Sequence, residues 1–132
     1  MNLYDDDYVR ISIDESVPCL EWTGKSYVPS DKFRLSEEKS LEFFKQHKPK
    51  RPKLQWFVDA RDIGPVSPQD TEWVAKHILP KFAAAGLKKE AFVVPKSALG
   101  KMAVQQYVSE AGETIEIQLF DNVAAAKNWL KE

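Results

Sequence analysis

The 132-residue chain contains one cysteine and five isolated glycines, and no apolar run approaches the ~20 residues of a membrane span. Cys19 cannot form an internal disulfide, and its apolar neighbours indicate a packing role in a reducing compartment. The isolated glycines exclude a glycine-rich phosphate-binding loop. The start, MNLYDDDY, has neither the basic nor the apolar segment of a signal peptide, so we expect a cytoplasmic protein without a membrane span.

An excess of charge of one sign is also missing. The 19 Lys and Arg residues face 20 Asp and Glu residues, which leaves a net charge of -1. This balance gives no general attraction for nucleic acid or anionic membranes, so we expect no nucleic-acid partner.

With 43% hydrophobic residues, the chain is long enough for one buried core and too short for two ordinary domains. We therefore expect a single domain over residues 1–132.

Motifs for catalysis and metal binding are absent as well. His47 and His77 lie on different predicted helices and have no cysteine or carboxylate at the spacing of metal ligands. Neither G-x-S-x-G nor a cysteine–histidine pair is present. The aspartates of YDDDY have no partners at ligand spacing, so we interpret them as a solvated, frayed terminus. The sequence thus predicts no catalytic residue, no metal site and no cofactor.

What is present is an alternation of strand and helix patterns. YVRISID alternates apolar and polar residues with the period of a strand, and VPCLEWTG predicts the second strand of an antiparallel hairpin. Three further strands are predicted at KLQWFVDA, AFVV and TIEIQLF. Between and after them lie four helix patterns, which begin at Ser30, Ser67, Ser97 and Asp121. Pro80 lies inside the second of these helices and should kink it.

The order β-β-α-β-α-β-α-β-α predicts an α/β fold with a mixed, mostly parallel five-stranded sheet and four helices mainly on one face. LQWFV is apolar on both faces, whereas the first and last strands alternate, so the centre of the sheet should be buried. On an open second face, Phe57 would be an apolar patch for a partner protein or a second copy. The alternative is that side chains or the N-terminal segment of the same chain cover Phe57.

This succession resembles the SpoIIAA-like family of STAS-related domains, also described as STAS or CRAL-TRIO-like small proteins. The resemblance covers nearly the whole chain and rests on LEWTG, YVPSDKFR, WFVDAR, SPQDTEWVAKHILPKF, AFVV and AAAKNWL. It implies a SpoIIAA-like fold and a non-catalytic, regulatory binding or protein-interaction module. The CRAL-TRIO-like part of the resemblance implies instead a carrier or sensor of a small apolar or lipid-like ligand.

The phosphorylation site of the family is not preserved in this chain. In STAS domains that antagonise anti-sigma factors, a serine or threonine just after the third-strand aspartate is phosphorylated, but Asp59 is followed here by Ala60 and Arg61. Ser67 is the nearest hydroxyl. In Ser-Pro-Gln-Asp, however, a serine at the cap, Pro68 at the first helical position and Asp70 two residues later together predict an N-cap. We therefore expect Ser67 to begin a helix rather than to be phosphorylated.

The carboxyl ends of parallel strands are the usual ligand-binding edge of an open α/β sheet. In this chain the edge, called the strand-end rim below, gathers TGKSYVPS, DARDIGPVS, VPKS and FDN. The candidate ligand-binding residues on it are Lys25, Tyr27, Arg61, Asp62, Ser67, Trp73, His77, Lys96 and Ser97. Its cations and helix N-termini favour an anionic group. The alternative is that Arg61 pairs with Asp59 or Asp62 while both lysines are solvated.

Trp73 points away from the core stripe of its helix, with His77 one turn further on. It is predicted to be a lid over the strand-end rim, an exposed contact residue, or a side chain packed on a neighbouring loop.

Three structural outcomes would separate the functions. A preformed apolar cavity would favour a ligand carrier, and a filled core with a flat apolar patch would favour an interaction module. A cleft with converging carboxylate, histidine and nucleophile would indicate an enzyme.

Overall fold

The computed structural model describes residues 1–132 and contains one sheet of six strands in the order β1-β2-β3-β4-β5-β6. The strands are β1 (Asn2–Asp5), β2 (Val9–Asp14), β3 (Cys19–Gly24), β4 (Gln55–Asp59), β5 (Lys89–Val93) and β6 (Glu116–Phe120). Strands β1, β2 and β3 pair antiparallel, whereas β3, β4, β5 and β6 pair parallel. The chain is therefore an α/β protein with a mixed, mostly parallel sheet.

The helices follow strands β3 to β6. They are α1 (Ser30–His47), α2 (Pro68–Trp73), α3 (Leu79–Ala84), α4 (Ala98–Ala111) and α5 (Val123–Lys131), with a 3-10 turn at Lys48–Lys50. A π turn, Val74–Ile78, joins α2 to α3 without a break in the helical backbone. None of these helices is both long and apolar enough to cross a membrane.

Where a kink was predicted at Pro80, the structure has a π turn. Pro80 lies at the start of α3, directly after the π turn. A proline has no N–H to donate, and its ring crowds the carbonyl of the residue four positions earlier, here Lys76. A wider turn just before the proline accommodates both effects, and π turns are commonly found as such single-turn insertions in α-helices.

The prediction of five strands and a frayed N-terminus was wrong, because MNLYDDDY forms β1 and the turn into β2. The Asp6 carboxylate closes that turn by accepting hydrogen bonds from the N–H groups of Tyr8 at 2.7 Å and Val9 at 2.8 Å. Tyr4 Oη donates to the same carboxylate at 2.6 Å. An aspartate that bonds nearby backbone in this way is a turn former, and its charge does not keep the segment in solvent.

The two faces of the sheet carry separate cores. A cluster of 24 buried residues fills the layer between the sheet and helices α1 to α4. A second cluster lies on the opposite face, under α5, and consists of Val17, Cys19, Phe57, Ala91, Val93, Ala126 and Leu130. Cys19 is buried as its packing role predicted, and burial raises the pKa of its thiol. Helices thus cover both faces, three helical segments on one and α5 on the other.

Phe57 is not an exposed patch. Only 2% of the residue is exposed, because α5 packs over it, and Lys127 Nζ of that helix lies 5.1 Å from the centre of its ring. Strands in a parallel sheet are normally buried on both faces, so a cover over the centre is physically required. The cover is the C-terminal helix, so Phe57 is buried by side chains of the same chain, which is the alternative that the sequence left open, and it is not an exposed interface.

Ser67 is the N-cap of α2, as predicted. Its Oγ accepts a hydrogen bond from the N–H of Asp70 at 3.1 Å, and Pro68 occupies the first helical position. The Asp70 side chain is buried and accepts hydrogen bonds from Ser30 Oγ at 3.0 Å and Arg34 Nε at 2.7 Å. The cap of α2 is thereby tied to the first turns of α1.

Two other helix starts differ from the predictions. Pro29 stands at the cap of α1, and Ser30 is the first helical residue, whose hydroxyl bonds across to α2. The cap of α5 is Asn122 rather than Asp121, and its side chain accepts a hydrogen bond from the N–H of Ala125 at 2.8 Å. Asparagine and aspartate cap helices about equally well, so the sequence does not distinguish the two positions.

Replacing Ser67 by alanine should lower the free energy of unfolding by about 1 kcal/mol, because the N–H of Asp70 loses its acceptor. Urea denaturation measures the change. Ser109→Ala is the matched control, since Ser109 is an exposed residue inside α4, where alanine is a better helix former. Equal stability of Ser67→Ala and Ser109→Ala would contradict the capping role.

Candidate functional site

The predicted cations of the strand-end rim are all paired with carboxylates. Arg61 donates to Asp59 through Nε at 2.9 Å and Nη2 at 2.7 Å. Burial alone would raise the pKa of Asp59, but the hydrogen bonds from Arg61 hold it below its ordinary value. Lys96 pairs with Asp62 at 3.3 Å, and Lys25 pairs with a β1 aspartate. The pairing of Arg61 with Asp59 is the alternative that the sequence left open. The carboxylate neutralises the positive charge that would attract an anion.

The remaining rim candidates have structural roles or are exposed. Ser97 caps α4 by accepting a hydrogen bond from a backbone N–H at 3.0 Å, as Ser67 caps α2. Trp73 is half-buried, and the Arg34 guanidinium lies 4.8 Å from the centre of its ring, so it packs against α1. Tyr27 is 59% exposed, and His77 is exposed in the π turn. These observations give no reason to assign a ligand to the rim.

A different site lies inside the larger core. The layer between the sheet and helices α1, α2 and α4 contains a cavity of about 60 Å³ lined by 15 residues, of which 12 are hydrophobic. Its polar residues are Glu37, Thr71 and Glu90, and its aromatic residues are Trp22, Phe33, Trp56, Phe92 and Tyr107. We call this the carboxyl cavity. No lysine, arginine, histidine or cysteine contributes to its wall.

Glu37 enters the carboxyl cavity from α1. It lies one helical turn after Phe33 and one turn before Leu41, so the helix directs it to the same face as these two buried side chains. Only 6% of the residue is exposed, and its Oε2 has no hydrogen-bond partner in the chain. Burial raises the pKa of Glu37 from 4.5 to about 8, because water is not available to stabilise the charge.

Glu90 enters from β5, on the face that also carries Phe92. The residue is 1% exposed, and Tyr107 Oη of α4 donates to its Oε1 at 2.7 Å. Burial raises the pKa of Glu90 well above its ordinary value, and the proximity of Glu37 raises it further, although the hydrogen bond from Tyr107 acts against this. The Tyr107 hydroxyl is also buried, and its pKa is raised by burial and by Glu90.

Trp56 lies beside Glu90 in the register of β4 and β5. Its ring stacks on Phe82 at 4.1 Å between ring centres with an angle of 13° between the planes. Its indole Nε1 is buried and has no acceptor, whereas Nε1 of Trp22 donates to Ser36 Oγ at 3.0 Å. A buried polar group without any partner typically costs about 1–3 kcal/mol. Two residues that line the carboxyl cavity carry such an atom with no partner in the chain, Oε2 of Glu37 and Nε1 of Trp56.

The chemistry of this arrangement favours binding. The pKa of Glu37, raised to about 8, keeps this carboxyl protonated at neutral pH, so it can both donate and accept hydrogen bonds. Burial raises the pKa of Glu90 as well, and the indole of Trp56 can only donate. The wall is largely apolar, and a surrounding of low polarity strengthens a polar contact. The carboxyl groups and the tyrosine are groups that can exchange protons, and the cavity wall contains no histidine and no cysteine. The chain also has no group of three or more potential metal ligands.

The positions of Glu37 and Glu90 in the sequence indicate that both could be buried, but the prediction of strands and helices did not take this into account. Glu37 falls at helical spacing from Phe33 and Leu41, and Glu90 lies two residues before Phe92 in a strand. Each is a charged residue at a core-facing position. The predicted strand AFVV began one residue after Glu90. Glu90 was therefore left outside the strand, and the pattern did not show an acid on the same face as Phe92.

The free energy of unfolding should fall as the pH rises from about 4.5 to about 8. The folded chain keeps a proton on Glu37 in this range, whereas the unfolded chain has lost it. The decline is at most about 1.4 kcal/mol per pH unit for this group and ends above its folded pKa. Glu90 acts in the same direction.

Urea denaturation at a series of pH values measures this decline, which Glu37→Gln should make shallower. Glu38→Gln is the control, because Glu38 is the next residue of α1 and is exposed. If Glu37→Gln and the unmodified chain have the same pH profile, Glu37 does not retain its proton in the folded state.

Comparisons of this chain with known protein families, with characterised proteins and with solved structures give no match. The resemblance to SpoIIAA-like domains accordingly stays a prediction from the sequence. The function has to be inferred from the geometry of the carboxyl cavity.

Proposed function

We propose that this chain is a non-catalytic binding domain of the SpoIIAA-like type that carries or senses a small molecule in the carboxyl cavity. The observation that carries the proposal is the pair of unpartnered polar atoms, Glu37 Oε2 and Trp56 Nε1, in an otherwise largely apolar wall. Small-molecule sites typically combine an apolar lining with a few polar groups that orient the ligand. Both polar atoms gain a partner only if something polar enters the cavity.

The volume of the carboxyl cavity limits the size of the ligand. A cavity needs roughly 10–15 Å³ of space for each group of the size of a water molecule. The observed volume of about 60 Å³ therefore suits a molecule of about four to six non-hydrogen atoms. A lipid chain is far larger, so the small-ligand form of the carrier hypothesis is the one that the geometry supports.

The alternative of a protein-interaction module has less support. Its proposed contact surface was an open sheet face at Phe57, and α5 covers that face. What remains for a protein partner is the strand-end rim, whose three candidate cations are already paired. Cavity binding uses groups that have no partner, whereas rim binding must first break ion pairs.

The size also bounds the affinity. The best very small ligands gain about 1.5 kcal/mol per non-hydrogen atom, so the Kd of a ligand with about four such atoms is no lower than about 40 µM. Such a site is half-filled at micromolar to millimolar concentrations. This range suits a sensor of an abundant metabolite better than a carrier that must retain a scarce one.

The test is a titration of the full chain with n-propanol, propionamide and n-propylammonium chloride, followed through the indole N–H signal of Trp56 in a nitrogen-15 NMR spectrum. At least one probe should shift this signal saturably at millimolar concentration, because Trp56 lines the cavity and its Nε1 has no acceptor in the chain. Trp56→Phe identifies the signal. A flat response to all three probes would mean that the cavity takes only water and would refute the proposal.

A variant that fills the cavity locates the binding. Ala103 lines the wall on α4, and Ala103→Leu should abolish the probe-dependent shift by occupying the space. Ala98→Leu makes the same change at an exposed position of the same helix and should leave the shift unaltered. Saturable binding that survives Ala103→Leu in a folded protein would place the ligand outside the carboxyl cavity.

A further inference from the structure

The ionisable groups that line the carboxyl cavity are all acids. They are Glu37, Glu90 and Tyr107, and no basic side chain faces them. The third buried carboxylate of the chain, Asp70, is stabilised in the usual way, by a cation and a hydrogen bond. Arg34 pairs with it at 2.7 Å, and Ser30 donates a hydrogen bond to it. Glu37 and Glu90 are therefore two buried carboxyls for which the fold provides no cation.

The remainder of the wall also suits a positive charge. Aromatic rings of Trp22, Phe33, Trp56, Phe92 and Tyr107 contribute to it. The face of an aromatic ring attracts cations electrostatically, and the attraction grows when water is excluded. Aliphatic side chains such as Val58 and Val104 provide contacts for a hydrocarbon portion. Acidic groups, aromatic faces and apolar contacts together describe the complement of an organic cation.

We propose that the ligand of the carboxyl cavity is a small primary alkylammonium ion, held by the Glu37 and Glu90 carboxyl groups with its alkyl part against the aromatic wall. This inference rests on the proposed function and adds the chemical class of the ligand. An ammonium group has three N–H donors and no acceptor, so it can bond to the unpartnered Oε2 of Glu37 but not to Nε1 of Trp56. The Trp56 signal therefore reports this ligand through its contact with the ring, which lines the cavity. A neutral ligand of the same size would use the same acceptor but would leave both acids without a cation.

Binding is coupled to the loss of a proton from the site. The ammonium ion enters with its own proton, the O–H bond of a protonated Glu37 breaks, and that proton goes to solvent, so that an ammonium–carboxylate pair forms. The groups that face Glu37 across the cavity are Glu90 from β5 and Tyr107 from α4. The residues that β3, β4 and α2 contribute to the wall do not titrate.

This coupling fixes the pH dependence of the affinity. Below the pKa of Glu37, which burial raises to about 8, each unit of pH should increase the affinity for the ammonium ion about tenfold. Above that pKa the affinity should level off until the ligand itself loses its charge. The affinity for a neutral probe should change little over the same range.

The deciding experiment compares n-propylammonium chloride with n-propanol, which has the same number of non-hydrogen atoms and no charge. Both are titrated into the full chain at pH 6, 7 and 8 with sodium chloride at matched ionic strength, and the Trp56 indole signal is followed. The ammonium ion should bind at least tenfold more tightly than the alcohol at pH 8, and its advantage should shrink at lower pH. Sodium chloride alone should leave the signal unchanged.

Glutamine variants assign the effect to the two acids. Glu37→Gln and Glu90→Gln keep the side-chain shape but cannot ionise. Glu37→Gln should reduce ammonium affinity at least tenfold because the ammonium–carboxylate pair cannot form, Glu90→Gln should reduce it less, and both should alter n-propanol affinity little. Glu38→Gln, on the exposed side of α1, should behave as the unmodified chain. The comparison of the two probes on the unmodified chain does not depend on whether either variant folds.

The possible outcomes separate the ligand class from the proposed function. If the alcohol binds as tightly as the ammonium ion at every pH, the carboxyl cavity is a ligand site but not a cation site, and this inference is wrong. An equal response to sodium ions would also overturn it, because the site would then lack a preference for an organic cation. If neither of these probes binds but propionamide does, only this inference is wrong, and if none of the three binds, the proposed function itself fails.

Discussion

Parallel pairing of β3, β4, β5 and β6 is the constraint on which the rest of the structure depends. Each parallel connection needs a crossover, and right-handed crossovers between strands added in sequence order put their helices on the same face. Helices α1 to α4 therefore pack on one side of the sheet and enclose the larger core. The central strands still require a cover on the other side, and α5 is the helix that supplies it. Phe57 is buried for this reason.

The same layer contains two buried acids without a cation, Glu37 and Glu90. Glu37 and Glu90 occupy positions where their neighbours along the helix or strand are apolar, and both are almost fully buried. Apolar residues of similar volume would often be at least as stabilising at such positions. The loss of about 1–3 kcal/mol for an unpaired buried group is substantial beside the ~5–15 kcal/mol that stabilises a typical domain. A binding role gives these two residues a physical reason to be acidic.

Much of the fold could be predicted from the sequence, because periodicity reports burial directly. The alternation in β2, the two-sided apolar pattern of β4 and the cap at Ser67 all follow from local physics that the structure retains. Strand β1 was missed because three aspartates suggested solvent exposure, whereas Asp6 bonds to the backbone of a turn. The position of α5 was missed for a different reason. The pattern of a helix shows which of its own faces is buried, but not which face of a sheet it covers.

The candidate site could be predicted much less well, and the reason is electrostatic. Lys25, Arg61 and Lys96 were expected at the strand-end rim, but the sequence does not show that each has a carboxylate partner. Glutamate is rarely buried, so the pattern alone favoured solvent for Glu37 and Glu90. Only the assembled layer shows that α1 and β5 direct both acids into one cavity.

In the proposed binding mode, protonation of Glu37 and entry of a cation are alternative ways to satisfy the same carboxyl group. A proton neutralises the acid but leaves Oε2 without a partner in the chain. An alkylammonium ion neutralises it and also supplies the missing hydrogen bond. Because only the folded chain has the cavity, ligand binding adds to the free energy of unfolding at the pH values where the ionised acid would otherwise reduce it. Stability, pH response and ligand recognition would then depend on one pair of buried glutamates.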